Sequence, residues 1–135
     1  MSEHETEART VGHLMTHDPV HVGPDDDVGR AHDLMRGRGV GAVPVVEDGT
    51  VVGILTATDL LFDPDELSRV AAIMSGPPVT VHPSTTVADA ASLMQERFIH
   101  HLIVLDEDDV GLVGIVSSWD LLGDLASTVR SQRPN

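Results

Sequence analysis

The stretch VPVVEDGTVVGILTATDLL, residues 43–61, decides how the chain folds. Two short runs rich in β-branched residues, Val43 to Val46 and Val51 to Leu55, flank the acidic turn Glu47-Asp48-Gly49. Short apolar runs of this kind, bounded by turn residues, read as the two arms of a hairpin. Thr56 then changes the pattern: a hydroxyl followed three residues later by Asp59 is the signature of a helix start. The same order of residues returns as LIVLDEDDVGLVGIVSSWDLL, residues 102–122. Val52-Gly53-Ile54 matches Val113-Gly114-Ile115, and Asp59-Leu60-Leu61 matches Asp120-Leu121-Leu122, at a common offset of 61. The chain is therefore a repeat, and the repeat sets the reading of everything outside this stretch.

Working outward, the self-similarity extends towards the N-terminus at an offset of 59. Leu14-Met15 returns as Ile73-Met74, Pro19-Val20 as Pro78-Val79, Val28 as Val87, Ala31 as Ala90 and Leu34-Met35 as Leu93-Met94. The two extra residues of the second copy fall in the acidic turn Asp106 to Asp109, where an insertion is tolerated. Each copy opens with a short helical turn ending at Met15 or Met74. A short strand follows, near Val20 to Val22 or Val79 to Val81. Turns rich in Pro, Asp, Ser and Thr (Gly23 to Asp27; His82 to Thr86) then carry helix-start chemistry. The helices show apolar positions 28, 31, 34 and 35, or 87, 90, 91 and 94, the spacing of one buried face. The hairpin and a last short helix from Thr56 or Ser117 complete the copy. The expected fold is mixed α/β (α+β), two tandem βαββα units. The expected divisions are a flexible acidic N-terminus over 1–10, repeats over 11–66 and 67–127, and a tail over 128–135.

Composition excludes several function classes. The chain of 135 residues has no cysteine, so disulfides, thiolate metal sites and cysteine nucleophiles are absent. Its formal net charge is −14, and all eight basic residues are arginine. Such a surface repels phosphate backbones, so no nucleic-acid partner is expected. The charge suits either a halophilic, archaeal-type protein living in screening salt or an acidic surface kept for solubility. No apolar run resembles a signal peptide or a membrane span, which points to a cytoplasmic protein without a membrane partner. The eight histidines show no metal-ligand spacing: His13, His17 and His21 straddle Pro19, and no His-Glu-x-x-His occurs. No nucleophile motif or phosphate-binding glycine loop is present, so neither a metal, a required cofactor nor an enzymatic activity is expected.

With these residues laid out, the chain resembles a tandem pair of CBS domains, a Bateman module. The first set is Met15-Thr16 with Pro19-Val20, then Val43-Pro44-Val45-Val46, then Gly53-Ile54-Leu55-Thr56 with Asp59-Leu60. The second is Met74-Ser75 with Pro78-Val79, then His100-His101-Leu102-Ile103-Val104, then Gly114-Ile115-Val116-Ser117 with Asp120-Leu121. The resemblance covers about residues 11 to 127. It implies two units packed about a pseudo-twofold axis, with two equivalent clefts between the repeats that take adenosine-containing ligands: AMP, ADP, ATP or S-adenosylmethionine. It further implies a stand-alone homodimer that acts in trans on an unknown protein partner, in the manner of an energy sensor.

The resemblance also nominates residues. One cleft would use Thr16, backbone groups at Val20, His21 and Val22, Gly41-Ala42, His100, Ser117 and Asp120. The other would use Thr56, Thr58 and Asp59 with backbone at Thr80, Val81 and His82 and at Ile99, His100 and His101. In this reading Asp59 and Asp120 accept hydrogen bonds from ribose hydroxyls, a fit that a carboxylate suits. By spacing alone, Thr56-x-x-Asp59 and Ser117-x-x-Asp120 are also helix caps. The His100 imidazole would bond a phosphate, whereas the matching Gly41-Ala42 carries no side-chain donor. Thr58 and Trp119 stand where nucleotide-binding pairs often carry a basic residue. Trp119 would stack on a base or pack an interface, and Arg38 and Arg97 are nearby cations that also suit helix ends. The alternative reading is a structural or dimerisation module without nucleotide binding.

Overall fold

The computed structural model describes residues 9–62 and 65–124. In chain order the elements are α1 (Val11–Leu14), β1 (Thr16–His17), α2 (Val28–Arg38), β2 (Ala42–Glu47), β3 (Thr50–Thr56), α3 (Ala57–Phe62), α4 (Val70–Ile73), β4 (Thr80–Val81), α5 (Val87–Arg97), β5 (His101–Leu105) and β6 (Leu112–Ser117). A last helical segment, α6, covers 118–124. Of the acidic N-terminus expected over 1–10, residues 1–8 lie outside the described residues, as does the whole of the tail expected over 128–135.

Both hairpins form where the alternation of apolar runs and acidic turns requires. Strand β2 pairs antiparallel with β3 from Ala42↔Thr56 to Glu47↔Thr50, closed by the two-residue turn Asp48-Gly49. Both turn residues have positive φ, as the twist of a two-residue hairpin demands. In the second copy β5 pairs with β6 from His101↔Ser117 to Leu105↔Leu112, and the longer turn absorbs the two inserted residues. The helix faces largely follow their periodicity: Val28, Ala31 and Met35 are buried on α2, Ala90 and Met94 on α5. Ala91, expected on the buried face, is exposed, and Leu93, the counterpart of Leu34, turns inward instead. Three residues per apolar step fit the 100° helical turn better from 90 to 93 than the adjacent pair 90–91 does.

The chain forms two compact units that cut across the sequence copies: Asp18–Val79 is one, and the residues up to His17 together with those from Thr80 are the other. The helical turn and strand that open each copy are the reason. Residues 9–17 form an arm on the body of the second copy. Val11 N–H donates to the Thr85 carbonyl (2.8 Å), Gly12 N–H to the Pro83 carbonyl (2.9 Å), and Val87 N–H to the Arg9 carbonyl (3.0 Å). Strand β1 then adds to the edge of β6, giving a four-stranded sheet in the order β1-β6-β5-β4, with β4 parallel to β5. Residues 66–75 repeat this on the body of the first copy. Val70 N–H donates to the Asp26 carbonyl (2.9 Å), Ala71 N–H to the Pro24 carbonyl (2.9 Å), and Val28 N–H to the Ser68 carbonyl (2.8 Å). Here the outer strands shrink to single-residue bridges, Val22↔Val45 and Ile54↔Ser75. The strand expected over Val20 to Val22 is thus reduced to Val22.

Val11 and Val70 are fully buried, so each arm is anchored by an apolar side chain as well as by its backbone. The glycines of the two matching strands let the arms come close. An added Cβ on Gly114 would stand 2.5 Å from Met15 Sδ and 2.9 Å from the Thr16 carbonyl oxygen. On Gly53 it would stand 2.8 Å from Met74 Sδ and 2.7 Å from the Ser75 carbonyl oxygen. Among the described residues no helix is long and apolar enough to cross a membrane.

Candidate functional site

Each unit presents the same polar junction where its hairpin runs into a helix. Thr56 N–H donates to Asp59 Oδ2 (2.9 Å), and Asp59 N–H donates back to Thr56 Oγ1 (3.2 Å). In the other unit Ser117 N–H donates to Asp120 Oδ2 (2.8 Å), and Asp120 N–H to Ser117 Oγ (3.1 Å). This reciprocal pair satisfies two N–H groups that the start of α3 or α6 leaves without helical partners. It also fixes the side chain: one carboxylate oxygen is held by the backbone. The second oxygen, Oδ1 of Asp59 and of Asp120, takes no hydrogen bond from any described residue. Both carboxylates are half-buried, and each is placed by a rigid strand–helix corner rather than by a loop.

A second bond ties each corner to the start of the hairpin. Ala57 N–H donates to the Gly41 carbonyl (2.9 Å) in one unit, and Ser118 N–H to the His100 carbonyl (2.8 Å) in the other. The backbone scaffold is therefore the same twice, while the side chains on it differ. Ala42 is buried and Gly41 offers only backbone. His100 is exposed, and its Nδ1 lies 3.3 Å from Ser118 Oγ. His101 is half-buried; burial, with the neighbouring His100, pushes its pKa below the ordinary histidine value, and the charge of Asp120 opposes this only in part. A neutral imidazole beside a carboxylate can offer one donor and one acceptor.

The residues nominated from the sequence divide between the units. Thr16, Thr80, Val81, His82, Ile99, His100, His101, Ser117, Trp119 and Asp120 fall in one, and Val20, His21, Val22, Gly41, Ala42, Thr56, Thr58 and Asp59 in the other. Thr16 and Thr80 are exposed strand residues, and Val81 and Val22 are buried with only their backbone to offer. Thr58 and Trp119 both point to solvent from the first turn of their helices. Two partners escaped the sequence reading. Ser118 bonds His100, a role hinted at only by its place in the pair Ser117-Ser118. Asp109, carried on the inserted turn, bonds His82 Nε2.

The His82–Asp109 pair makes a pH-dependent contribution whose sign is fixed. The hydrogen bond that His82 donates to Asp109 raises the His82 pKa above its ordinary 6.5; desolvation opposes this in part, and the charges of Asp109 and Glu107 add to the rise. A group with a raised folded-state pKa stabilises fully below its unfolded value and loses that stabilisation as pH rises through the folded value. Unfolding midpoints of the wild type should therefore fall, by a small amount, as pH climbs from below 6.5 through the raised pKa. Asp109→Asn should flatten this step; an unchanged step in the variant would assign it to another group.

Known proteins are similar to this chain in sequence and fold. A family model described as the CBS domain matches residues 11–64 and again 70–127. The chain is 35% identical over 122 residues to the CBS domain-containing protein YhcV of Bacillus subtilis, covering 87% of this chain and 83% of that protein. It is 35% identical over 104 residues to the inosine-5'-monophosphate dehydrogenase of Korarchaeum cryptofilum, covering 77% of this chain but spanning only 22% of that enzyme. Among solved structures, CBSX2 in complex with AMP superposes with a TM-score of 0.76 at 31% identity, over 89% of this chain and 98% of that one. With two matches in tandem over nearly the whole sequence, the chain belongs to the CBS domain family as a CBS pair.

Proposed function

We propose that this CBS pair is a regulatory module that binds an adenosine-containing ligand (AMP, ADP, ATP or S-adenosylmethionine), catalyses nothing itself and acts as a homodimer on a partner protein. The observation that carries the reading is the doubled carboxylate corner. Asp59 and Asp120 are each pinned through one oxygen and keep the other for a ligand. A carboxylate set this way accepts a hydrogen bond from a ribose hydroxyl without losing side-chain entropy, because the cap has already ordered it. The AMP-bound relative supports the ligand class. Regulation follows by population shift: a ligand that prefers one conformation of the pair draws the population to it.

The test is titration calorimetry of wild type and Asp120→Ala with AMP, beside denaturant melts of both. Hydrogen bonds to a charged acceptor contribute roughly 1.5–3 kcal/mol each. Affinity should therefore fall by at least about tenfold, 1.4 kcal/mol being one decade. If Asp120 only caps its helix, stability falls by about 0.3–1 kcal/mol while affinity of the folded protein stays the same.

A second reading, a dimerisation module that binds no nucleotide, draws on apolar side chains exposed on the last helix of each copy: Leu61 and Phe62 on α3, Leu122 on α6. A dimer mass by light scattering, with no heat on AMP addition, would favour it over the first.

A further inference from the structure

Each arm meets its body through a methionine. Met15 and Met74 close the helical turns α1 and α4, where their N–H groups donate to the carbonyls of Val11 and Val70 (both 2.9 Å). The next residue enters the pairing with the body: Thr16 lies opposite Ile115, and Ser75 opposite Ile54. The two side chains occupy equivalent places. Met15 Sδ lies over Gly114 and Met74 Sδ over Gly53, each so close that a Cβ on the glycine would collide with the sulfur. The thioether fits between arm and strand only because the strand residue has no side chain.

The four methionines among the described residues differ in what water can reach. Met35 and Met94 sit on the buried faces of α2 and α5, only 3% and 5% exposed. Met15 and Met74 are half-buried, so solvent reaches each side chain while its sulfur stays packed against a strand. The chain has no cysteine, so methionine is the sulfur that an oxidant meets.

We propose that Met15 and Met74 are paired oxidation sites, at which a peroxide converts the thioether to a sulfoxide and loosens the arm. A sulfur lone pair attacks one peroxide oxygen; an S–O bond forms and the O–O bond breaks. Sulfur is oxidised by two electrons, and the leaving hydroxide takes the proton of the transferred hydroxyl and departs as water. A thiol-dependent sulfoxide reductase reverses the step: the oxygen leaves as water and a pair of thiols becomes a disulfide. The sulfoxide puts a polar oxygen where an apolar contact was. Turned toward the strand, that oxygen has no room, since a Cβ would already collide with the sulfur. Turned away, it draws the side chain toward water and out of the contact. The pairing beside it is short, two residues in β1 and a single bridge at Ser75, and so is sensitive to the loss of one packed side chain. The sites are independent of any adenosine ligand.

The test treats the full chain with hydrogen peroxide and follows it by peptide mass mapping and hydrogen exchange. Met15 and Met74 should each gain one oxygen before Met35 and Met94 do. The amides of Val11, Gly12, Val70 and Ser75 should then exchange at least about tenfold faster. Methionine sulfoxide reductase with dithiothreitol should restore the slow exchange. Leucine is close to methionine in volume and cannot be oxidised in this way. Met15→Leu should therefore confine the peroxide effect to the unit Asp18–Val79, and Met74→Leu should confine it to the other unit. The proposal is overturned if Met15 and Met74 gain oxygen no sooner than Met35 and Met94. Unchanged arm exchange in the chain oxidised at both sites would overturn it equally, as would loosening of both arms in the double leucine variant. Should a leucine variant not fold, the wild-type time course alone decides.

Discussion

A chain that starts at Asp18 is expected to keep one folded unit and lose the other. The deletion removes Val11 from a fully buried seat, strips β1 from the edge of β6 and leaves the carbonyls of Pro83 and Thr85 without their donors. Burying one valine contributes about 1.5–3 kcal/mol, and each lost backbone bond to a group that stays buried costs about 1–3 kcal/mol. A unit of this size has a total stability on the order of 3–9 kcal/mol. The losses are therefore of the same size as the stability of the unit, which is expected to unfold. Asp18–Val79 is contiguous, contains its own arm and should be untouched. Hydrogen exchange reads the outcome directly. Amides of β5 and β6 should exchange rapidly, whereas those of β2 and β3 stay protected. Val70→Asp in the full chain should give the opposite pattern. Equal loss of protection in both hairpins of the truncated chain would mean that neither unit folds alone.

Gly114→Ala is expected to destabilise the protein by about 3 kcal/mol, the upper end for overpacking by a single methyl. The new carbon would meet both a sulfur and a backbone oxygen of the arm. The methionine can move; the Thr16 carbonyl cannot do so without breaking the β1–β6 pairing. Met15→Ala in the same chain should accordingly recover only part of the loss. A double-mutant cycle in denaturant measures that part as the coupling between positions 15 and 114. Gly53→Ala should behave alike, with the backbone contact the tighter of the two. Full recovery by Met15→Ala would show that the thioether alone sets the close approach.

Hairpins, helix faces and helix starts were legible in the sequence because each is a local pattern. A run of β-branched residues around Asp48-Gly49 carries its own turn, and Thr56-x-x-Asp59 carries its own cap. The exchange of arms was not legible, for a definite reason. Val11 and Val70 are equivalent residues, as are Gly53 and Gly114, so by sequence either arm fits either body. Which body it takes is decided by tertiary connection, on which a periodic pattern is silent. The strand at Val20 to Val22 illustrates the same limit: the β-branched residues predict a strand over all three, but only Val22 finds a partner. At the site, the two carboxylates and their hydroxyl partners could be named from spacing alone. The bond between His82 and Asp109 could not, since it depends on the path of an inserted turn.

The discontinuous unit also imposes an order of birth. Residues 9–17 leave the ribosome before residues 18–79, yet the body that receives them emerges only after that segment. Throughout synthesis of the intervening segment the Val11 side chain has no seat, and the contiguous unit can close as soon as Val79 is clear of the exit tunnel. While residues 80–117 are being made, the nascent chain is thus one closed unit carrying an unpaired arm. A chaperone that grips short apolar strands would find its target at residues 9–17 during this interval, and would have to let go when β6 arrives.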